Sequence, residues 1–247
     1  MTQILSPGEE LLDAFRANGF STLPKLVDES ELEWLRGVYD RLFENYLSAD
    51  PGDYYDISGD GTGVAQLPQI IRPEKYAPEL VESAHFARCR SIASAFLGVP
   101  ESELDFYGHA ILKPAEYGAP TPWHQDEAYM SPHWHRRGLS IWTPLDGASV
   151  ESGCLHFVPG LHRGPVLPHR HIDHDDRVRG LMTDEVDPAA AVACPLEAGE
   201  ASVHDFRTPH YAGPNHTSRA RRAYVLVFMG PATAVEDPEP RPWRTQD

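Results

Sequence analysis

Beyond Pro100 the chain breaks into short apolar runs set between turn residues: 104–112, 139–144, 153–158, 201–206 and 223–228. Runs of strand length, punctuated by Gly, Pro and Asp at this spacing, are the raw material of sandwiches and barrels. The chain is therefore expected to be mainly β, built as a jelly roll. The first 100 residues read differently. Residues 9–18 carry Leu11, Leu12 and Phe15 on one helical face and stop at Gly19, and Phe20 to Leu23 alternates like a brief strand. Asp28 followed by Glu31 resembles a capping box ahead of the stripe Leu32, Leu35, Val38, Tyr39, Leu42, Phe43 and Tyr46. A second long helix is expected from about Glu79 to Leu97, closed by Gly98.

Residues 48–63 form a Gly- and Asp-rich loop, and 165–193 is a polar stretch too long for a simple connection, expected to be a lid or a mobile segment. With no repeat and no linker, residues 1–247 are expected to form one domain. Its parts are a mainly helical front (1–100) with flanking α-helices, a jelly-roll core (101–230) and an extended Pro-rich tail (231–247).

A formal charge of -16 argues against a nucleic-acid partner and against an anionic membrane surface, both of which need clustered Lys and Arg. Three widely spaced cysteines without a Cys-x-x-Cys pair suit a reducing compartment. No apolar run approaches a membrane span, and the first residues lack a basic leader. The expectation is a cytoplasmic protein acting on a small molecule; the oligomeric state is left open.

Thirteen histidines are the compositional outlier. Among them, Trp123-His124-Gln125-Asp126 carries a pair with metal-ligand spacing. In an extended segment, side chains repeat every two residues, so His124 and Asp126 share a face. A third ligand must come from elsewhere. His210, after a β-like run and before a Gly-Pro-Asn turn, is the best candidate. Two imidazoles and one carboxylate on one side of an ion leave positions open, the facial triad of non-haem Fe(II) oxygenases. Arg219, Arg221 and Arg222 then lead into the apolar run 223–228. A strand re-entering the core there would turn one guanidinium inward, where it needs an acidic partner and can grip a carboxylate bidentately. Arg219 and Arg222 are expected to be exposed.

Four motifs in order resemble the phytanoyl-CoA dioxygenase family of Fe(II)- and 2-oxoglutarate-dependent oxygenases. They are Phe15-x-x-x-Gly19-Phe20; Trp123-His124-Gln125-Asp126 with Tyr129; Trp142-Thr143-Pro144-Leu145-Asp146 with Glu151 to Leu155 and Val158 to His162; and Gly199-Glu200 with His210 to Asn215 and Arg221. The resemblance implies a double-stranded β-helix, a jelly-roll variant, with Fe(II) held by His124, Asp126 and His210 at one mouth. It implies that Arg221, eleven residues after His210, binds the distal carboxylate of 2-oxoglutarate, with Trp142 packed against that cosubstrate. O2 is the third reactant, and the outcome is hydroxylation or another oxidation of an unactivated C–H bond of a metabolite, with release of succinate and CO2. Natural-product intermediates are among the expected substrates. Related halogenases lack the carboxylate ligand; Asp126 is present, which points to oxygenation. Glu151, Ser152, Leu161, Glu200 and Ala212 depart from the family's usual residues without touching the triad.

Tyr107, His109 and Ile111 share one face of the strand before the triad. Tyr107 is placed with the cosubstrate, and His109, Lys113, Gln125 and Tyr129 with the substrate, each with a structural role as the competing reading. His204 is read as a core histidine. Two other functions fit the same residues: a jelly-roll isomerase or hydrolase using Zn or Mn, which leaves Arg221 without a task, and a non-catalytic metabolite-binding protein. Oxygen-coupled succinate production separates them.

Overall fold

The computed structural model describes residues 7–45, 50, 52–57 and 64–244. Parts of the expected 48–63 loop, the first residues and the last three lie outside the described residues. In chain order the elements are α1 (Glu9–Asn18), β1 (Phe20–Leu23), α2 (Glu29–Glu44), β2 (Tyr54–Asp56), β3 (Pro68–Ile71), α3 (Ala84–Leu97), β4 (Asp105–Lys113) and β5 (Thr121–His124). There follow β6 (Trp134–His135), β7 (Gly138–Pro144), β8 (Leu155–Phe157), β9 (Arg170–His171), β10 (Leu181–Met182), β11 (Val192–Cys194), β12 (Ala201–Asp205), β13 (His210–Ala212), β14 (Arg221–Met229) and β15 (Thr233–Ala234).

A seven-stranded sheet in the order β1-β12-β7-β14-β4-β3-β2 faces a four-stranded sheet, β11-β8-β13-β5, and every named pairing is antiparallel. This is the expected jelly roll. The large sheet is buried on both faces, which is why β14 reads as an unbroken apolar run. Tyr224, Leu226 and Phe228 face outward into a core shared with Leu32, Leu35, Val38 and Tyr39 of α2 and Phe86, Ile92 and Phe96 of α3. Ala223, Val225 and Val227 face inward with Trp142, Leu155, Phe157 and Ala212. Tyr39 Oη spans the layers by donating to the Ala223 carbonyl at 2.6 Å.

Phe20–Leu23 forms the brief strand its alternation suggests, but the front of the chain is less helical than expected because β2 and β3 also join the large sheet. The second expected helix is interrupted: Pro78–Glu82 is a 3-10 segment, and α3 starts afresh behind Ser83, whose side chain accepts from Phe86 N. Only half of the expected capping box forms. Asp28 accepts from Glu31 N at 2.9 Å, while the Glu31 carboxylate turns to Arg88 and the His85 amide. The tail also differs from expectation. Thr233–Ala234 pairs with Trp134–His135, and residues 241–244 pack back on the turn after Asp126. Among the described residues no helix is long and apolar enough to cross a membrane.

Two buried histidines outside the cavity set a pH limit on this fold. His85 sits 3.0 Å from Thr143 Oγ1 and His169 beside the ligand-bearing strand, and burial pushes each down to about 4. An unfolded histidine titrates near ~6.5, so between these values the unfolded chain binds the extra protons. Stability is thus full above the unfolded value and falls as pH drops towards 4. The expected slope approaches about 1.4 kcal/mol per pH unit per group. Urea midpoints at pH 7.5, 6 and 5 check this; a midpoint constant across that range would contradict it.

Candidate active site

The two sheets enclose a cavity of about 330 Å³ that contains every residue of the expected triad, together with Arg221, Trp142, Tyr107, His109 and Tyr129. β5 ends at His124, so Asp126 is not a strand residue; it opens a 3-10 turn. Gln125 between them keeps extended angles (φ -117°, ψ 135°), and that preserves the shared face. His210 on β13 is the direct cross-strand partner of His124, with ring centroids 4.1 Å apart. Gly19 helps set the approach to β13. Its φ of 86° turns the chain from α1 into β1, and its carbonyl accepts from Thr208 Oγ1 at 2.7 Å, two residues before His210.

The ring nitrogens are assigned by their neighbours. His124 Nδ1 donates to the Pro122 carbonyl at 2.8 Å and His210 Nδ1 to the Thr208 carbonyl at 3.0 Å. A carbonyl only accepts, so each Nδ1 carries the proton and each Nε2 keeps a lone pair. Burial lowers the pKa of both rings and favours this neutral form. Burial on its own would raise the Asp126 carboxyl; any proton held on His210, His204 or His124 beside it lowers it instead and keeps the carboxylate ionised. Asp126 Oδ1 lies 3.8 Å from His124 Nε2 and 3.6 Å from His210 Nε2. One ligand atom from each of these three residues falls within 4.8 Å of the others. Three lone pairs converge with no proton to share, an arrangement that a divalent cation satisfies. Two nitrogens and one oxygen suit iron.

Arg221 is 2% exposed, yet its Nε and one Nη have no hydrogen-bond partner among the described residues. Its guanidinium lies over the Trp142 ring, 5.1 Å from the centroid. Burial lowers its pKa to about 10, which leaves the cation intact at neutral pH. A buried cation with unused N–H bonds is costly alone and awaits an anion. Thr121, Leu155, Ala212, Ile111 and Val225 line the same cavity. Arg219 is exposed, as expected; Arg222, also expected to be exposed, is instead partly buried because Asp146 and Asp40 pair with it.

Two expected substrate contacts are corrected. Lys113 does not line the cavity; Nζ donates to the carbonyls of Ala119 (2.7 Å), Ala212 (3.2 Å) and Gly213 (2.5 Å). Burial and the Arg221 charge push its pKa down, while three carbonyls match the three N–H bonds of an ammonium. Lys113→Met should cost about 3 kcal/mol of stability by stranding these carbonyls, and should leave 2-oxoglutarate affinity of the folded protein unchanged. Calorimetry on both counts tests it; lost affinity without lost stability would return Lys113 to the site. Gln125 points away as well. Nε2 donates to the Arg207 carbonyl at 2.7 Å, and Oε1 accepts from Leu167 N at 2.7 Å. His169 Nε2 accepts from Gln125 N at 3.1 Å. The long 165–193 segment is thus pinned to the ligand strand at its start, and it sends Arg179 to the cavity.

Sequence reasoning missed several cavity residues: Ser140, His204, Gln69, Tyr55 and Arg179. Ser140 was within reach of the strand period, two residues from Trp142. His204, read as a core residue, is buried as expected, but its Nε2 stands 3.4 Å from Asp126 Oδ2.

A jelly roll with a two-histidine, one-carboxylate cluster and a buried arginine in one cavity defines a class, the non-haem oxygenases that use a 2-oxo acid. The chain belongs to the phytanoyl-CoA dioxygenase family, whose model matches residues 15–223. Over its full length it is 64% identical to EvdO2 from Micromonospora carbonacea var. aurantiaca, solved with 2-oxoglutarate; each chain is covered completely and the TM-score is 0.88. It is 32% identical over 192 residues to a probable alpha-ketoglutarate-dependent hypophosphite dioxygenase of Stutzerimonas stutzeri. That match takes in 76% of this chain and 65% of the relative, so just under two thirds of the relative's length is spanned. The carbocyclase SnoK from nogalamycin biosynthesis shares the fold at 23% identity, TM-score 0.73, with 93% of this chain and 87% of that one covered. The chain is accordingly an Fe(II)- and 2-oxoglutarate-dependent oxygenase by family.

Proposed function

We propose that His124, Asp126 and His210 hold Fe(II), that Arg221 binds the distal carboxylate of 2-oxoglutarate beside Trp142, and that the substrate is a small natural-product intermediate. The observation that carries this reading is the buried Arg221 guanidinium with free N–H bonds in the same cavity as the triad. An isomerase or hydrolase gives that cation no partner. When bound, iron and 2-oxoglutarate supply the oxidising power for a C–H bond and leave succinate and CO2.

The chain's own residues bind, orient and exclude water. The paired Nδ1 bonds aim both imidazoles. Ile111, Leu155, Ala212 and Val225 wall the cavity with apolar surface, which strengthens the Arg221–carboxylate attraction. Tyr107, His109 and Tyr129 are left for the substrate, with Gln69 and Tyr55 nearby in the same lining. Tyr107 packs beside His109, with ring centroids 5.2 Å apart and planes tilted by 33°, on the inward face of β4. The cavity size suits a small molecule. Relatives named for nogalamycin biosynthesis support a natural-product substrate. Three free buried cysteines support a cytoplasmic setting.

Anaerobic titration of Fe(II) and 2-oxoglutarate, followed through the visible charge-transfer band, tests the cofactor assignment. A protein that develops no band sinks it. Substrate-dependent succinate release across a panel of natural-product intermediates then tests the substrate class.

A further inference from the structure

The triad's carboxylate has two oxygens in different surroundings. Oδ1 faces the two imidazole lone pairs. Oδ2 faces the large sheet, where Ser140 Oγ donates to it at 2.6 Å and His204 Nε2 approaches to 3.4 Å. Ser140 and His204 are direct cross-strand partners on β7 and β12, so both arrive from a rigid ladder. The His204 ring is wedged between Phe157, at 5.2 Å, and His210, at 4.5 Å, which fixes its plane. Its Nδ1 is buried and has no hydrogen-bond partner among the described residues. A proton on Nε2 meets the carboxylate and leaves only a lone pair unsatisfied at Nδ1; the opposite tautomer would strand an N–H and set two lone pairs against each other. His204 is outside the three-residue cluster that could hold an ion, so it serves the carboxylate and not the metal.

We propose that His204 and Ser140 are a positioning pair that occupies Asp126 Oδ2 and presents Oδ1 alone to the metal. The inference rests on Asp126 being a metal ligand. Its consequence for the reaction is that the carboxylate is held to one point of attachment, so that the remaining positions stay open for the cosubstrate and O2. A carboxylate freed from these donors can rotate and offer both oxygens.

The test uses His204→Phe, His204→Gln and Ser140→Ala in the full chain, each titrated anaerobically with Co(II) followed by its visible absorption and with Fe(II) plus 2-oxoglutarate. His204→Phe and Ser140→Ala should each weaken metal binding about tenfold or more and alter the Co(II) absorption envelope. The melting temperature of the metal-free His204→Phe protein should stay near that of the parent, because the ring removed carries an unsatisfied nitrogen. His204→Gln, whose amide can donate to Oδ2, should recover most of the affinity. A purely structural histidine would give the reverse: lower metal-free stability with unchanged affinity and spectrum in the folded fraction. That result, or wild-type affinity in Ser140→Ala, overturns the proposal. Should His204→Phe not fold, Ser140→Ala decides from the other donor. A wild-type protein that binds neither metal would instead overturn the reading of the triad.

Discussion

Asp126→Ala is expected to abolish 2-oxoglutarate-dependent turnover, by at least about a thousandfold, on the scale of losing one member of a catalytic unit. The carboxylate is the only anion among the three converging ligands, so its removal leaves two neutral imidazoles to hold a dication. Fe(II) affinity should fall with it, by more than the loss expected from disturbing a group that merely supports a ligand. Stability of the metal-free protein should fall as well, because the buried Ser140 Oγ–H loses its acceptor. Metal titration and succinate release measure both effects, and a variant that keeps full turnover removes Asp126 from the ligand set.

Arg221→Met should move two quantities in opposite directions. Affinity for 2-oxoglutarate should fall by about 2–5 kcal/mol, the usual loss on truncating one partner of a buried charge pair. The stability of the protein without cosubstrate should rise, since the buried guanidinium has unused N–H bonds and no ion-pair partner among the described residues. Arg221→Lys should not restore binding, because an ammonium lacks the planar fork that grips a carboxylate and that here sits over Trp142. Calorimetric titration with 2-oxoglutarate alongside thermal melts separates the two effects. If affinity holds while stability falls, Arg221 is part of the core and the cosubstrate is bound elsewhere.

The parts of this site legible in the sequence were those governed by local period and by ligand chemistry. His124 and Asp126 share a face because the backbone at Gln125 is extended, and the same parity sends Gln125 away from the cavity, a corollary that assigning it to the substrate overlooked. Lys113 continues the inward face of Tyr107, His109 and Ile111, but β4 runs past the cavity and the ammonium is taken up by carbonyls near Asn215. His204 could not be tied to Asp126 from sequence. Their contact depends on the register of β12 against β7, which pairs residues more than sixty positions apart. The joining of β2 and β3 to the large sheet is of the same kind, since three- and four-residue strands without clear alternation carry almost no periodic signal of their own.

The tail adds a consequence in time. The turn that begins at Asp126 has its backbone carbonyls capped from 241–244: Arg241 donates to Glu127 and Met130, Trp243 Nε1 to Ala128 at 3.0 Å, and Arg244 to Tyr129. These partners are translated more than 110 residues after the ligand they brace. During synthesis the turn that opens at Asp126 emerges at mid-chain and lacks these donors until residues 241–244 follow. The turn that carries Asp126 is therefore closed by contacts of very long sequence separation, made only once the central strands of the large sheet are already in the chain.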